Sequence, residues 1–360
     1  MLPHRIEPRI VTSSRGRSRL LVATIAALPG LGLSAAVAVL AYIGAPYVAL
    51  IAPVPAMVLA LIIGIALNPI AAKPVVQPGM AFCVKTVLRW SVALLGLRVG
   101  LSDISALGFT TAALIVGAMI VTVVSGFFCS RILKQPVGIG ALIGVGTAVC
   151  GASAALAVST VIPDYRNKKA DLAFTVVALN ALATIAMLIY PPLCVALGFD
   201  AQTTGIMLGG TIHDVAQVAG AGYAVSSDTG NVAVIVKLFR VFLLLPTVLA
   251  VAFYFSRLGA HQGPARVAFP AFAVVFVILC ALNSAMPHLP GLPPGFALTK
   301  HVLVEASMWG LLLAISALGL DTSIRTLVGL GWRHGLTVAM TTIVILLIVC
   351  AGIIITGAYA

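Results

Sequence analysis

Long hydrophobic runs follow one another along the whole chain, and polar residues gather in the short stretches between them. The runs are about twenty residues long, the length of a helix that crosses a bilayer. Apolar and polar positions do not alternate along them, as they would in the strands of a membrane barrel. The pattern predicts an all-α, polytopic membrane helix bundle of eleven segments, near residues 20–43, 46–67, 81–101, 107–130, 138–161, 171–197, 204–224, 231–256, 267–286, 303–320 and 335–357.

The first nineteen residues are polar and strongly basic, with five arginines and one glutamate. The charged part of a signal peptide has the same character. The apolar run that follows is as long as a membrane span, however, and has no clear small-residue cleavage site. We therefore predict a basic cytoplasmic tail over residues 1–19 and a single transmembrane domain over residues 20–360.

With the N-terminus in the cytoplasm, most basic loops fall on the cytoplasmic side, as the positive-inside rule requires. The loop at 164–171 contains Arg166, Lys168 and Lys169 and is the exception if residues 138–161 cross the membrane completely. The exception disappears if residues 138–161 enter and return on the cytoplasmic side and residues 204–224 do so from the other side. Full but discontinuous spans are the alternative. Either arrangement puts irregular backbone at membrane depth, where it is tolerated only inside protein or beside a polar cavity.

Composition supports the membrane prediction and excludes other classes. Hydrophobic residues make up 61% of the chain and charged residues 8%, with a mean hydropathy of +1.17, which excludes a soluble domain. The net charge is +12, but the basic residues are scattered between segments without a basic stripe, so no nucleic-acid partner is expected. The six cysteines stand singly, as packing residues do.

Two pairs of segments share an internal spacing. A proline precedes an asparagine by thirteen residues in both 55–68 and 270–283, and a tryptophan precedes a glycine by ten residues in both 90–100 and 309–319. The offsets, 215 and 219, are nearly equal. Seven segments separate the partners, and an odd number implies opposite orientation. This predicts an inverted repeat, a common plan in alternating-access transporters; chance similarity between apolar segments is the alternative.

Residues 209–217 interrupt an apolar segment with Gly210, Thr211, His213, Asp214 and Gln217. An ionisable side chain inside a span costs about 2.5–3.5 kcal/mol, so it needs a partner or a function. His213 and Gln217 are four residues apart, which would place them on one helix face toward one cavity. A histidine there binds an anion or carries a proton. The alternative is a buried histidine that donates to a carbonyl group.

A second interruption at 146–153 combines glycines with small polar side chains: Gly146, Thr147, Cys150, Gly151 and Ser153. Glycine frees the backbone to expose its amides, and the positive end of a helix dipole holds a dehydrated oxyanion without a full cation. The competing interpretation is a small-residue face that lets two helices approach closely.

Three further polar residues lie deep inside apolar segments. Lys237 and Arg240 share a helix face and are expected to neutralise an anion or to pair with Asp214. Asn180 is expected to cap a broken helix or to line the cavity. No metal site, catalytic nucleophile or organic cofactor is predicted, because His213 has no second ligand at a suitable spacing and Cys150 and Ser153 have no nearby base.

Three stretches, GTAVCGASAALA, GTIHDVAQVAGAG and VKLFR, resemble the bacterial YeiH-type sulfate exporter family, and the resemblance covers nearly the whole chain. It implies a relationship to sodium/proton antiporters and bile acid symporters, with inverted repeats, crossing discontinuous helices and elevator-like movement. The resemblance marks these binding positions: Gly146, Thr147, Cys150, Gly151, Ser153, His213, Asp214, Gln217, Lys237 and Arg240. In the family pattern the residue after the histidine is more often glutamate, and Asp214 keeps the charge with a shorter reach.

Together these features predict a secondary transporter of the bacterial inner membrane that exports sulfate or a related sulfur oxyanion or organosulfonate. A proton or sodium ion is the expected coupling partner, and a homodimer is a possible assembly. An anion channel is the alternative, and it would need a continuous polar lining rather than two localised breaks. An intramembrane enzyme would need a second catalytic group beside His213 or Cys150.

Overall fold

A computed structural model of the protein describes residues 14–50, 54–258, 271–286, 295–322 and 332–356, with side chains from residue 26 to residue 355 within these ranges. All regular structure in the described part of the chain is helical, which confirms the all-α prediction. Part of the predicted basic tail, residues 1–13, lies outside the described residues. Two arginines of the basic loops that were assigned to the cytoplasmic side, Arg266 and Arg325, also lie outside them. The first helix already begins at Ser14, so residues 14–19 of the predicted tail are helical.

Seventeen α-helices occupy the described residues. They are α1 Ser14–Val48, α2 Ala56–Ala66, α3 Asn68–Ala71, α4 Gln77–Phe82, α5 Leu88–Leu94, α6 Leu101–Ala106, α7 Gly108–Ile132, α8 Val137–Ala148, α9 Ala152–Ser159, α10 Lys168–Ala196, α11 Ala201–Thr211, α12 Val215–Val225, α13 Ser227–Phe242, α14 Leu244–Arg257, α15 Ala271–Ala285, α16 Phe296–Asp321 and α17 Trp332–Thr356. A π-helical turn, Cys83–Val87, joins α4 to α5, and a short 3₁₀ turn, Leu95–Leu97, follows α5.

Seven helical stretches in the described residues are long and apolar enough to cross a membrane: Ala26–Val48, Gln77–Leu97, Gly108–Ile132, Lys168–Ala196, Ser227–Arg257, Phe296–Asp321 and Trp332–Ile355. The shorter apolar helices are α2, α8, α12 and α15. The chain is therefore a multi-pass membrane protein. The predicted segments 138–161 and 204–224 are each divided into two short helices by a non-helical break.

The helices pack in two groups. One group contains α7 to α14 with α17, and the other contains α1 to α5 with α15 and α16; α12 touches α2 and α16 of the second group. Glycines allow the closest approaches, because a Cβ on Gly144 would lie 3.3 Å from the Cα of Gly126, and one on Gly319 would lie 3.1 Å from the Cα of Gly64. Close approach through small residues is the usual way in which membrane helices pack.

Two asparagines bind the ends of neighbouring helices in matching ways. The Asn68 side chain donates to the carbonyl of Leu320 at the end of α16 (2.8 Å), and the Asn283 side chain donates to the carbonyl of Val99 after the 3₁₀ turn (3.1 Å). The positions of the two asparagines relative to their own helices differ. Asn68 does begin a new helix, α3, whereas Asn283 lies inside α15, so what they share is the capping of another helix.

The ends of both broken segments also lie close to where the same segments begin. A Cβ on Gly138, in the first turn of α8, would lie 2.7 Å from the Tyr165 ring, which follows α9. A Cβ on Gly205, in α11, would lie 2.6 Å from the Cβ of Val232 in α13, shortly after α12. The start of each helix pair is thus packed against the residues that follow its end.

Candidate functional site at two helix breaks

The first break separates α8 from α9 at Val149, Cys150 and Gly151. Gly151 has φ +64° and ψ −122°, a backbone conformation that a residue with a Cβ rarely adopts. Its amide donates to the carbonyl of Gly146 (2.8 Å) and thereby ends α8. The chain then turns directly into α9, so the glycine at this position is needed for the break itself.

The second break separates α11 from α12 at Ile212, His213 and Asp214. Ile212 and Asp214 have extended backbone, and the Asp214 carboxylate accepts a hydrogen bond from the Ala216 amide (2.8 Å). Asp214 is therefore the N-cap of α12, a position that favours aspartate. Because His213 stands before the helix begins, the prediction that His213 and Gln217 share one helix face is wrong.

The two breaks meet. A Cβ on Gly151 would lie 3.6 Å from the carbonyl oxygen of His213, an ordinary van der Waals distance, so the two breaks are in contact at this point. The carbonyl ends of α8 and α11 and the amide ends of α9 and α12 are thereby brought to one place. The stretches 146–153 and 209–217 therefore lie together in the fold.

Lys237 joins the two breaks through its ammonium group. It is fully buried and donates to the carbonyl oxygens of Val149 (2.7 Å), Ile212 (3.0 Å) and His213. An ammonium group has three N–H donors, so these bonds use all of them.

Arg240 does the same one turn later on α13, and it is also fully buried. Its guanidinium donates to the carbonyls of Ala148 (3.0 Å) and Thr147 (2.8 Å) at the end of α8 and to those of Gly209 (2.9 Å) and Ile212 (3.1 Å) at the end of α11. The last carbonyls of a helix carry partial negative charge, so two cations stabilise two converging C-termini.

This differs from the expectation that Lys237 and Arg240 neutralise a bound anion or pair with Asp214. Among the described residues, neither makes an ion pair with a carboxylate, and their hydrogen bonds go to backbone carbonyls. The physical reason is that a helix ended inside a membrane leaves unpaired carbonyls, and no water is available to bind them.

His213 is buried and reaches α17. Its Nε2 lies 2.9 Å from the Thr342 hydroxyl, which itself donates to the carbonyl of Val338 (2.8 Å). The hydroxyl proton is thus used, and we infer that His213 carries its proton on Nε2 and donates to Thr342. Its Nδ1 is buried without a hydrogen-bond partner among the described residues.

Gln217 reaches α10 instead. Its Nε2 donates to the Asn180 side-chain oxygen (3.0 Å) and lies 3.4 Å from the Thr184 hydroxyl. Its Oε1 is buried and has no hydrogen-bond partner in the described part of the chain. An unpaired buried polar atom costs about 1–3 kcal/mol. Asn180 therefore lies beside the crossing and accepts a hydrogen bond from Gln217.

The positive end of α9 remains uncapped. Unlike α12, it has no side-chain cap, and the amides of Ala152 and Ser153 meet no acceptor within the residues that the structure describes. The Ser153 side chain is exposed, whereas Cys150 is buried. Of the two helices that begin at the crossing, α12 is capped by the Asp214 side chain and α9 has no side-chain cap.

Three other predicted residues serve packing. Thr147 is buried and its hydroxyl lies 3.1 Å from that of Thr341 on α17. The Thr211 hydroxyl donates to the carbonyl of Met207 (2.6 Å), and Gly210 makes room for Val349 and Ile115. The glycines of α8 that face α7 therefore allow close helix packing. Anion binding is left as an interpretation only for the residues after the break.

Arg89 is a residue that the sequence reasoning overlooked. It lies in the middle of the span Gln77–Leu97, and its side chain is exposed. The rule that an intramembrane charge needs an explanation would have identified it. In contrast, Arg98 at the end of the same span stacks on the Tyr223 ring, with 5.5 Å between the guanidinium carbon and the ring centroid.

The described residues contain no cluster of three or more histidine, cysteine, aspartate or glutamate side chains that could hold a metal ion. Cys83, Cys129, Cys194 and Cys280 are buried free thiols in the helix packing, and Cys350 is half-buried.

With this geometry in place, comparison with known proteins gives the family. The model of the family described as Conserved hypothetical protein 698 matches residues 29–339, which include both helix breaks and α13. The chain belongs to this family. The match confirms the family-level resemblance that the three sequence motifs indicated.

Several relatives in this family are membrane proteins by name. The chain is 38% identical to UPF0324 membrane protein TauZ of Paracoccus pantotrophus over 336 residues, which cover 92% of this chain and 96% of the relative. It is 40% identical to UPF0324 membrane protein RA0957 of Rhizobium meliloti (strain 1021), with 85% of each chain covered. UPF0324 membrane protein SAR0338 of Staphylococcus aureus (strain MRSA252) is 29% identical over 87% of this chain and 92% of its own length.

Proposed function

We propose that this protein is a secondary transporter of the bacterial inner membrane that exports a small sulfur oxyanion, such as sulfate or sulfite, or an organosulfonate. The observation that carries the proposal is the uncapped N-terminus of α9 at the crossing. Free amides at the positive end of a helix bind oxyanions. They lie beside His213 and opposite C-termini whose charge Lys237 and Arg240 already neutralise.

The packing at the ends of the broken segments supports a re-entrant arrangement. Gly138 against Tyr165 brings the chain back to the side from which α8 starts, and Gly205 against Val232 does the same for α11. Two hairpins then enter the membrane from opposite sides and meet at its centre. In this arrangement the basic loop at 164–171 lies on the same side of the membrane as the N-terminus. By the positive-inside rule that side is the cytoplasm.

The asparagine contacts support an inverted repeat. Asn68 and Asn283 differ by the offset of 215, and each caps a helix end in the other half of the chain. The carbonyls of Leu61 and Phe276, which also differ by 215, face the close approaches at Gly319 and Gly96. A pair of repeats of opposite orientation suits alternating access, in which one helix group moves against the other around a fixed site.

In the proposed mechanism, the amides of Ala152 and Ser153 bind the anion, and Lys237 and Arg240 hold the two breaks together without touching it. His213 and Asp214 take up or release coupling protons as the site changes sides. The unpaired His213 Nδ1 and Gln217 Oε1 are the buried acceptors that a protonated or hydrated substrate would satisfy. Sodium as the coupling ion is the alternative to protons.

Uptake of radiolabelled sulfate, sulfite and 2-aminoethanesulfonate into proteoliposomes tests the proposal. A transporter gives a rate that saturates with substrate and responds to an imposed proton or sodium gradient. An anion channel gives flux that rises in proportion to concentration and follows the membrane potential alone. Absence of flux for all three anions under every gradient would sink the proposed function.

A further inference from the structure

An apolar groove lies between α7 and α14 on the surface of the helix group that contains the breaks. It has a volume of about 590 Å³ and is lined by residues of α7 from Val116 to Phe127 and of α14 from Leu243 to Tyr254. Both helices belong to stretches that are long and apolar enough to cross a membrane. The lining residue Ile120 is 59% exposed, so the groove opens toward the surrounding lipid. Its volume is in the range of sites that bind small molecules.

Aromatic rings join the two walls at one end of the groove. The centroid of the Phe127 ring lies 5.2 Å from that of the Tyr254 ring and 6.4 Å from that of the Phe255 ring. Phe127 and Tyr254 are the last lining residues of their helices, so the C-terminal ends of α7 and α14 lie side by side. Tyr254 is 46% exposed, and tyrosine is enriched where the apolar core of a membrane meets the head groups. This end of the groove is therefore the one nearest to the head groups.

Two cations continue the α7 wall beyond these rings. Arg131 follows Phe127 by four residues, which places it on the same helix face, and it lies in the last turn of α7. Lys134 comes three residues later, just beyond the end of the helix. Both side chains are exposed, and neither pairs with a carboxylate among the described residues. By the positive-inside rule, this end of the groove faces the cytoplasm.

We propose that the groove binds an anionic phospholipid of the cytoplasmic leaflet, with an acyl chain between α7 and α14 and the phosphate group at Arg131 and Lys134. Basic residues beside membrane helices on the cytoplasmic side bind anionic head groups. The planar fork of an arginine gives two parallel donors to two phosphate oxygens, and a lysine adds a point charge. The site is separate from the helix breaks, and it does not depend on the proposed transport function.

A second copy of the chain fits the same groove less well. In a two-fold homodimer each surface patch meets its own copy. Two copies in one membrane have the same orientation, so a dimer through this groove would bring Arg131 and Lys134 of one protomer toward the same two residues of its partner. Like charges that face each other across an interface cost free energy. A phospholipid instead supplies the negative charge that this end of the groove lacks among the described residues.

Lipid binding to the purified protein tests the head-group site. The delipidated parent chain is titrated in a neutral detergent with phosphatidylglycerol and with phosphatidylcholine of identical acyl chains, and bound lipid is counted by native mass spectrometry. Thermal unfolding is a second readout, because a ligand that binds only the folded state raises its stability. We expect half-maximal binding at an at least tenfold lower concentration of phosphatidylglycerol than of phosphatidylcholine. Inorganic phosphate, which cannot fill the apolar groove, should leave the melting temperature unchanged.

Arg131→Gln combined with Lys134→Gln removes the proposed head-group contacts. Arg257→Gln is the matched control, because Arg257 also ends its span, but its guanidinium carbon lies 4.9 Å from the centroid of the Phe253 ring, which does not line the groove. We expect the double variant to bind the two lipids equally well and Arg257→Gln to keep the preference of the parent chain. A parent-like preference for phosphatidylglycerol in the double variant would overturn the assignment.

Ala250→Trp tests the apolar part of the site. Ala250 lines the groove and is exposed, so the indole would occupy the space of an acyl chain. Leu249→Trp is the control, because Leu249 is 50% exposed but is not a lining residue. We expect phosphatidylglycerol to bind at least tenfold more weakly to Ala250→Trp and unchanged to Leu249→Trp, with folding checked by gel filtration. Equal binding to both variants, or a lipid-free dimer of the parent chain that Ala250→Trp disrupts, would overturn the proposal.

Discussion

Gly151 of one helix break lies against His213 of the other, with 3.6 Å between the Cβ position of the glycine and the histidine carbonyl oxygen. The two helix breaks are therefore within van der Waals distance of each other at this point. The contact also places the uncapped amides of α9 beside the buried histidine. The predictions below start from this geometry.

Gly151→Ala is expected to impair both folding and transport. The positive φ of Gly151 is strained for alanine by about 1–3 kcal/mol, whereas the methyl group itself would be at ordinary contact distance from the His213 backbone. Gly117→Ala, in open space on α7, is the matched control and should leave stability unchanged or slightly higher. Thermal unfolding in detergent measures the stability of both variants. Equal melting temperatures for Gly151→Ala and Gly117→Ala would contradict the account.

Lys237→Met is expected to destabilise the protein by about 3 kcal/mol or more. The change leaves the Val149 and His213 carbonyls without their donor, while Ile212 keeps its bond from Arg240, and an unsatisfied buried group costs about 1–3 kcal/mol. Lys85→Met, an exposed lysine, is the control. If Lys237→Met unfolds at the parent temperature and only substrate affinity falls, Lys237 is a substrate ligand after all.

Asp214 can be tested for two separate roles. Asp214→Ala removes the N-cap of α12 and should cost about 1 kcal/mol, whereas Asp214→Asn keeps an acceptor and should cost only a few tenths. We expect Asp214→Asn to fold normally and to lose the response of uptake to a proton gradient. A parent-like proton response in that variant would exclude Asp214 from coupling.

Gln217→Leu is expected to separate stability from function. The variant loses a hydrogen bond to Asn180 but also removes the unpaired Oε1, so the two effects on stability oppose each other and the change stays within about 1 kcal/mol. Uptake should fall at least tenfold if Oε1 faces the substrate. Uptake equal to that of the parent chain would show that the unpaired oxygen has no part in binding.

The sequence predicted the helical membrane class and the two interruptions because both depend on local composition. Apolar runs define spans, and glycines beside small polar residues mark where a helix ends. The meeting of Gly151 and His213 could be expected from the motifs, but its distance could not, because it depends on how distant helices pack.

The roles of the buried cations were not predictable in the same way. The sequence shows that Lys237 and Arg240 lie on one helix face, but it does not show that the carbonyl ends of α8 and α11 point at them. The helix face expected for His213 and Gln217 failed because helical periodicity does not continue through a break. Arg89 was within reach of sequence reasoning, since a mid-span arginine is visible without a structure.

Binding of radiolabelled sulfite to the purified protein tests the central claim, that the crossing of the two breaks is an oxyanion site. The parent chain, His213→Ala and Arg257→Gln are measured side by side, with folding checked by gel filtration. The account predicts saturable binding in the parent and in Arg257→Gln, and at least a tenfold loss of affinity in well-folded His213→Ala. Equal affinity in all three proteins would contradict it.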